Sequence, residues 1–378
     1  MTSKIVLFMF IMCLGASSFA QSSFNLIRLD SGHTHSSVQK FNNDIDQFNV
    51  FITSEYHSTK GNHEVWREMV EYLYIQEEVS TIVMEYPLSH EAFFNAYVLN
   101  GNLDSLNMMK GRGGFNRELK NEMEFLRKFN KNHKRKLTIR TVDVEYDCLI
   151  PIRLLQSLLP KTKSTGKIAD FITKLRSVDT DNRKKKYGEE LLDFIQSLEI
   201  NIAYNHEDYA NYLGDDYNYF RLIVAGTCLS NYDIEPFIKV ITPESIRADS
   251  IFNNKRENFI YWNFASLINK NPEGKFLGQF GKAHCSLTKG DIVENNSSWE
   301  SLAYRLQNGN DSPAQNGVCT FNISYAHCRM CLGQDLNSGY WLENQAQIHE
   351  KAALGTSLYK IPNPDLVGGY RYLLINRW

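Results

Sequence analysis

The sequence predicts an α/β protein: a mostly parallel central sheet flanked by helices, with a helical cap insertion and a strand-rich C-terminal part. Three observations carry this expectation. Four separate apolar, strand-like runs each end in ionisable residues. Segments with apolar residues at helical spacing lie between them. From about residue 149 to 235 the strand signals vanish and helical spacing takes over, as expected of a cap laid over a sheet edge. The chain has 378 residues, 43% of them apolar, so it can bury a large core.

Taken in order, residues 21–47 are polar and read as a lead-in arm. Within them His33-Thr34-His35, beside Ser31, Gly32 and Ser36, reads as a solvated loop. Asn49-Val-Phe-Ile-Thr53 is a buried strand running into Ser54-Glu55-Tyr56-His57. Turn chemistry follows at Ser58–Gly61, and Asn62 is the expected N-cap of a helix over 62–78, whose Val65, Trp66, Met69, Val70 and Leu73 recur on one face. Thr81–Met84 is the next strand and leads into Glu85. A strand–helix–strand unit of this kind implies a parallel pair. Ser89 opens a further helix that Asn100-Gly101 closes. Gly111–Gly114 lacks the strand context of a phosphate-binding loop. Residues 116–132 are expected to be helical, and Leu137–Thr141 is a strand running into Asp143 and Glu145. Within the cap, Ile168–Leu175 and Tyr187–Ala203 are helical, and Lys184–Lys186 is a solvated surface. A long helix over 245–269 precedes the strand Lys275–Phe280, which runs into Gly281-Lys-Ala-His284. Gly317–Tyr325, Thr356–Ile361 and Tyr370–Ile375 are further strands.

Residues 1–20 read as a secretory signal. Lys4 supplies positive charge, Ile5–Leu14 is apolar but short for a bilayer span, and Ser18-Phe19-Ala20 offers the small residues of a cleavage site. The expectation is an exported protein, periplasmic or extracellular, with one domain over 21–378 and no membrane span. The net charge of −2 gives no electrostatic reason for a nucleic-acid partner. Beyond Cys13 in the signal, Cys148, Cys228, Cys285, Cys319, Cys328 and Cys331 permit disulfides whose pairing sequence does not give. Cys328-Arg-Met-Cys331, after His327, has metal or redox spacing but lacks the ligands of a closed zinc site.

In open α/β sheets ligands bind outside the carboxyl ends of the strands. The residues delivered there are the candidates for chemistry. Glu55 and His57 are two apart, so in extended backbone they share a face, and the carboxylate can fix the imidazole tautomer. Asp143 and Glu145 repeat the spacing, while Glu85 and His284 come singly. His63 and His90, near helix starts, are supporting groups or surface residues. Arg256 either stabilises an anionic intermediate or makes a surface salt bridge. No Gly-x-Ser-x-Gly elbow is present, and Cys285 in a strand would face away from His284. A water nucleophile, activated by a histidine or a metal, is what remains.

Ser54-Glu-Tyr-His57 with Asn62, Ile82-Val-Met-Glu85-Tyr-Pro87, Phe94-Asn95-Ala-Tyr97 with Asn100-Gly101, Thr141-Val-Asp143-Val-Glu145, Arg256-Glu-Asn258-Phe259 and Gly278-Gln-Phe-Gly281-Lys-Ala-His284 together resemble the erythromycin-esterase-like family. The family's usual Gly before the Glu is Ser54 here, and a single residue separates Glu55 from His57 where macrolide-inactivating members have two. These departures bring the chain nearer to exported relatives of unassigned activity. The resemblance implies hydrolysis of a small-molecule ester, lactones included, without a cofactor. His57 would be the general base on water, Glu55 would orient it, and Glu85 with His284 would support binding and proton transfer. Asp143, Glu145, Arg256 and Asn62 would support the site or bind substrate. Two alternatives stay open. Tiki-type metalloproteases resemble this superfamily, and Glu55, His57, Glu85 and His284 would then hold a divalent transition metal. Haem- or iron-binding envelope proteins have a similar fold and would need no catalysis.

Overall fold

The computed structural model describes residues 26–29, 45–57, 59, 61–109, 117–146, 149–180, 189–233, 243–289, 300–326, 350, 355–361 and 370–377. The signal-like segment, His33, His35, Gly111–Gly114, Cys148, Lys184–Lys186, His327, Cys328 and Cys331 lie outside the described residues. The strands are β1 (Leu26–Leu29), β2 (Val50–Glu55), β3 (Thr81–Pro87), β4 (Thr138–Asp143), β5 (Phe276–Gly281), β6 (Val318–Ala326), β7 (Gly355–Lys360) and β8 (Tyr372–Arg377). They form one sheet in the order β1-β7-β8-β6-β2-β5-β3-β4. Every pairing from β8 to β4 is parallel, and only β1–β7 and β7–β8 are antiparallel. The expected mostly parallel α/β sheet is therefore present, and the four strands carrying the candidate residues are consecutive neighbours in it.

The helices are α1 (Asn62–Gln76), α2 (His90–Asn100), α3 (Leu103–Asn107), α4 (Arg117–Asn132), α5 (Leu149–Leu158), α6 (Ala169–Ser177), α7 (Glu189–Tyr204), α8 (His206–Leu213), α9 (Tyr217–Asp233), α10 (Pro243–Lys270) and α11 (Leu302–Asn308). Side chains alternate across β2. Phe51 joins Val65, Trp66 and Met69 of α1 and Met123 of α4 in one core layer. Val50 and Ile52 join Ile260 and Phe264 of α10 in the layer on the opposite face. Burial on both faces explains why these strands read as unbroken apolar runs. Helices α5–α9 pack around a third core that includes Leu155, Phe194, Leu198 and Phe220. They meet the sheet edge where Tyr219 donates to the Leu88 carbonyl at 2.9 Å and the Glu145 N–H donates to Gly226 at 3.3 Å.

Three local expectations are corrected. Part of the polar lead-in arm is strand: Leu26–Leu29 pairs with β7, a long-range pairing that four residues do not announce locally. Asn62 is not an N-cap. Gly61 takes that place, with helical backbone angles, and the Asn62 amide donates back to the Tyr56 carbonyl at 2.8 Å and accepts from the Tyr325 hydroxyl. The segment Lys282–His284 is a turn of 3-10 helix rather than strand. Gly101 does close α2 in the left-handed region, at φ 75°.

β4 is one of the sheet's two edge strands, and its outer side has no strand neighbour among the described residues. Asn95 of α2 covers it by donating to the Ile139 carbonyl at 2.7 Å and accepting the Ile139 N–H at 3.0 Å, imitating a neighbouring strand. Replacing Asn95 with Ala leaves both backbone groups without their partner. Denaturant unfolding should show a loss of about 1–3 kcal/mol.

Candidate active site at the carboxyl edge of the sheet

The carboxyl ends of β2, β5, β3 and β4 bring Glu55, Gly281, Glu85 and Asp143 to one edge of the sheet. His57 lies two residues beyond the β2 ladder, in a turn, and its Nδ1 lies 2.9 Å from Glu55 Oε1, the contact the two-residue spacing predicts. The other Glu55 oxygen accepts from the Gln279 amide. With Nδ1–H donated to the carboxylate, Nε2 is left to face the edge. The His57 side chain is 65% exposed.

Gly281 sets the position of that nitrogen. A Cβ at Gly281 would stand 2.5 Å from His57 Nε2 and 3.4 Å from Glu85 Oε2. Only glycine lets the imidazole rest against the backbone beside Glu85.

Glu85 is itself held on several sides. Its Oε2 accepts the Gly281 N–H at 2.7 Å, and its Oε1 accepts from Arg256 Nη2 at 2.5 Å and lies 3.3 Å from His284 Nε2. Arg256 reaches from α10 and also grips Asp143 through both oxygens, at 2.9 Å from Nε and 2.6 Å from Nη2. Tyr146 lays its ring 5.8 Å from the guanidinium and donates its hydroxyl to Asp143. The surface salt bridge considered for Arg256 is thus replaced by a clamp, with the Arg256 side chain 17% exposed and that of Asp143 fully buried. His284, in the 3-10 turn, places Nδ1 2.5 Å from Glu257 on α10. Glu257 Oε1 in turn accepts the N–H of Leu302 at the start of α11.

These contacts set the charges. Burial opposes ionisation of Glu85, but His284, Arg256 and His57 outweigh it and hold the carboxyl well below its ordinary range. Burial likewise opposes a charge on His284, yet Glu257 and Glu85 on its two nitrogens push it up to about 10. For Arg256, Asp143 and Glu85 overcome burial and hold its proton well above the usual range. The Glu55 hydrogen bond is the largest influence on His57 and raises it above 6.5, with burial pulling down, Glu85 adding to the rise and His284 opposing it. At neutral pH the edge therefore holds a protonated His284, an ionised Glu85 and a histidine poised to titrate.

Asp143 and Glu145 do not share a role. The strand ends at Asp143, alternation stops with it, and Glu145 turns away. Its oxygens accept from the Ser89 N–H at 2.8 Å and the Ser89 hydroxyl at 2.6 Å, anchoring the start of α2. His90, beside it, is buried, and burial lowers its ring to about 3. Asn62 fixes the backbone just before His57 through the Tyr56 carbonyl. Cys285 faces the core and donates to the Gly281 carbonyl at 3.4 Å, so it pairs with backbone rather than with His284. Cys228, Cys285 and Cys319 are buried.

The alternative metal set of Glu55, His57, Glu85 and His284 does not fit a divalent cation. His284 presents both nitrogens to carboxylates, and the Glu85 oxygens are taken by a guanidinium, a backbone N–H and His284. Among the described residues no group of three or more His, Cys, Asp or Glu is placed to hold a metal ion.

Sequence reasoning missed Glu257 and Gln279. Glu257 follows Arg256 within the block that carries the family resemblance, and Gln279 is two residues before Gly281 on the face of β5 that meets Glu55. Both signals were present, but nothing local tells a buried partner from a surface carboxylate or amide.

Three solved structures share this fold. A Bacillus cereus protein matches at TM-score 0.61 and 13% identity, over 93% of this chain and 93% of that one. Erythromycin esterase EreC, a histidine-to-asparagine variant in its open conformation, matches at TM-score 0.61 and 10% identity, over 88% of this chain and 91% of that one. A succinoglycan biosynthesis protein matches at TM-score 0.58 and 14% identity, over 93% and 94%. The chain thus shares the fold of erythromycin esterase EreC. No protein-family model and no curated protein matches it. In keeping with the expected lack of a span, no helix among the described residues is long and apolar enough to cross a membrane.

Two outcomes follow. In Gly281→Ala the new methyl pushes the imidazole away from Glu85, and NMR titration of His57 should show its pKa fall toward 6.5. The pKa of His284 is higher folded than unfolded, so its contribution to stability is full below 6.5 and is lost as pH rises to about 10. Denaturant unfolding should show this alkaline decline, and His284→Gln should flatten it.

Proposed function

We propose that this chain is an exported member of the erythromycin-esterase-like group that hydrolyses a small-molecule ester, with water activated by His57. The observation that supports this most is the Glu55–His57 pair, with its free Nε2 against Gly281 beside ionised Glu85. Glu55 fixes the tautomer and stabilises the imidazolium that forms when Nε2 takes a proton from water. The water oxygen attacks the ester carbonyl, and collapse of the tetrahedral intermediate expels the alcohol. Glu85 lies within electrostatic reach of His57 and adds negative potential that favours the protonated ring. With burial outweighed by His284 and Arg256, its carboxyl is held well below the usual range, so it is a weak proton acceptor at neutral pH. Its role is to hold the charge and shape of the wall on which His57 rests.

The test is ester turnover by the purified protein across a panel of acyclic esters and lactones. His57→Ala should lower kcat/KM by about 100-fold. Turnover unchanged in both His57→Ala and Glu85→Ala would remove the site from the reaction. Because the neutral ring is the base, kcat/KM should rise with pH through an apparent pKa above 6.5. Glu55→Gln removes the largest raising influence, so this limb should move to lower pH while the maximum rate falls.

A further inference from the structure

A further histidine–carboxylate pair lies on the helical face of the same edge. His63 stands in the first turn of α1, and its Nδ1 is hydrogen-bonded to Glu122 Oε1 of α4. The His63 side chain is 22% exposed and that of Glu122 is 9% exposed. With Nδ1 committed to the carboxylate, Nε2 is the nitrogen left for other partners. Position places this pair beside the first. Asn62, the preceding residue, ties the start of α1 to the Tyr56 carbonyl, between Glu55 and His57. Glu55, Tyr86 and Gln279 occupy the sheet face that α1 and α4 cover, because they continue the alternation of Phe51, Met84 and Leu277 in that core. Tyr86 is within electrostatic reach of Glu122, Glu55 and Glu85 alike, so its phenol stands among the carboxylates of both pairs.

Resting on the esterase reading above, we propose that His63, held by Glu122, is the general acid that protonates the leaving alcohol. The water oxygen bonds to the carbonyl carbon, and His57 takes one water proton. As the ester C–O bond breaks, the departing oxygen takes the proton on His63 Nε2. Transfer of the proton from His57 to His63 through water restores both rings, and acid and alcohol leave. The charges suit these parts. Burial opposes the proton on His63, but the Glu122 hydrogen bond and the charges of Glu122, Glu64 and Glu118 outweigh it and raise the ring above its ordinary range. A proton donor and a proton acceptor on opposite sides of one carbonyl is the arrangement acid–base hydrolysis uses.

Leaving-group dependence tests the role. An alkyl ester needs its departing oxygen protonated, whereas a para-nitrophenyl ester does not, because its phenolate is stable. His63→Gln should lower kcat/KM for ethyl esters about 100-fold and for para-nitrophenyl esters far less, changing the ratio of the two by at least about tenfold. Equal loss on both substrates would overturn the role of His63 and leave the His57 reading standing. An unchanged ratio in Glu122→Gln, with His63 intact, would overturn the part given to Glu122. If the wild-type protein turns over neither class of ester, the esterase reading fails, and this proposal fails with it.

Discussion

A single buried guanidinium organises the carboxyl edge of the sheet. Arg256 binds Asp143 through both oxygens and Glu85 through one, and so ties α10 to the ends of β3 and β4. Buried ion pairs of this kind contribute little net stability, because desolvation offsets their attraction. Their consequence is positional. Losing Arg256 would strand two carboxylates in a low-dielectric site, so Glu85 has one arrangement open to it. That arrangement turns its other oxygen onto the Gly281 N–H, which fixes the end of β5 where His57 rests.

From this anchor the edge divides into two polar layers, one on each face of the sheet. On the α10 side Arg256, Asp143, Glu85, His284 and Glu257 form a mostly buried network of ion pairs. On the α1 and α4 side Glu55, Gln279, Tyr86, Glu122 and His63 are polar groups with fewer fixed partners. His57 stands between the layers and is the most exposed of these groups for which an ion pair is formed. A buried, fully paired network on one flank suits a site in which one histidine must gain and lose a proton while its surroundings stay still.

Much of this was legible in the chain. Apolar runs ending in ionisable residues located β2, β3, β4 and β5, and the parallel topology made them neighbours. The two-residue spacing anticipated the contact of Glu55 with His57, although β2 ends at Glu55 and His57 already lies in a turn. Asp143 and Glu145, likewise at a strand end, are taken by different partners, Arg256 and Ser89. At Cys285 the expectation of no Cys–His pair held for a different reason: a 3-10 turn, not a strand, points the thiol inward. Arg256, Glu257 and β1 depend on partners far away in the chain, and spacing carries no trace of such partners. What the sequence lacks is the third dimension of burial, which turns a surface-like arginine into a clamp.

The claim that most needs testing is the fixed order of charge along the edge. Ring-nitrogen NMR of the folded wild-type protein, followed across pH, reports the protonation state of each histidine separately. The account predicts that His57 titrates above 6.5 with a free Nε2, while His284 keeps protons on both nitrogens through neutral pH and releases one only near 10. A neutral His284 at neutral pH, or His57 and His284 losing their protons together, would contradict it.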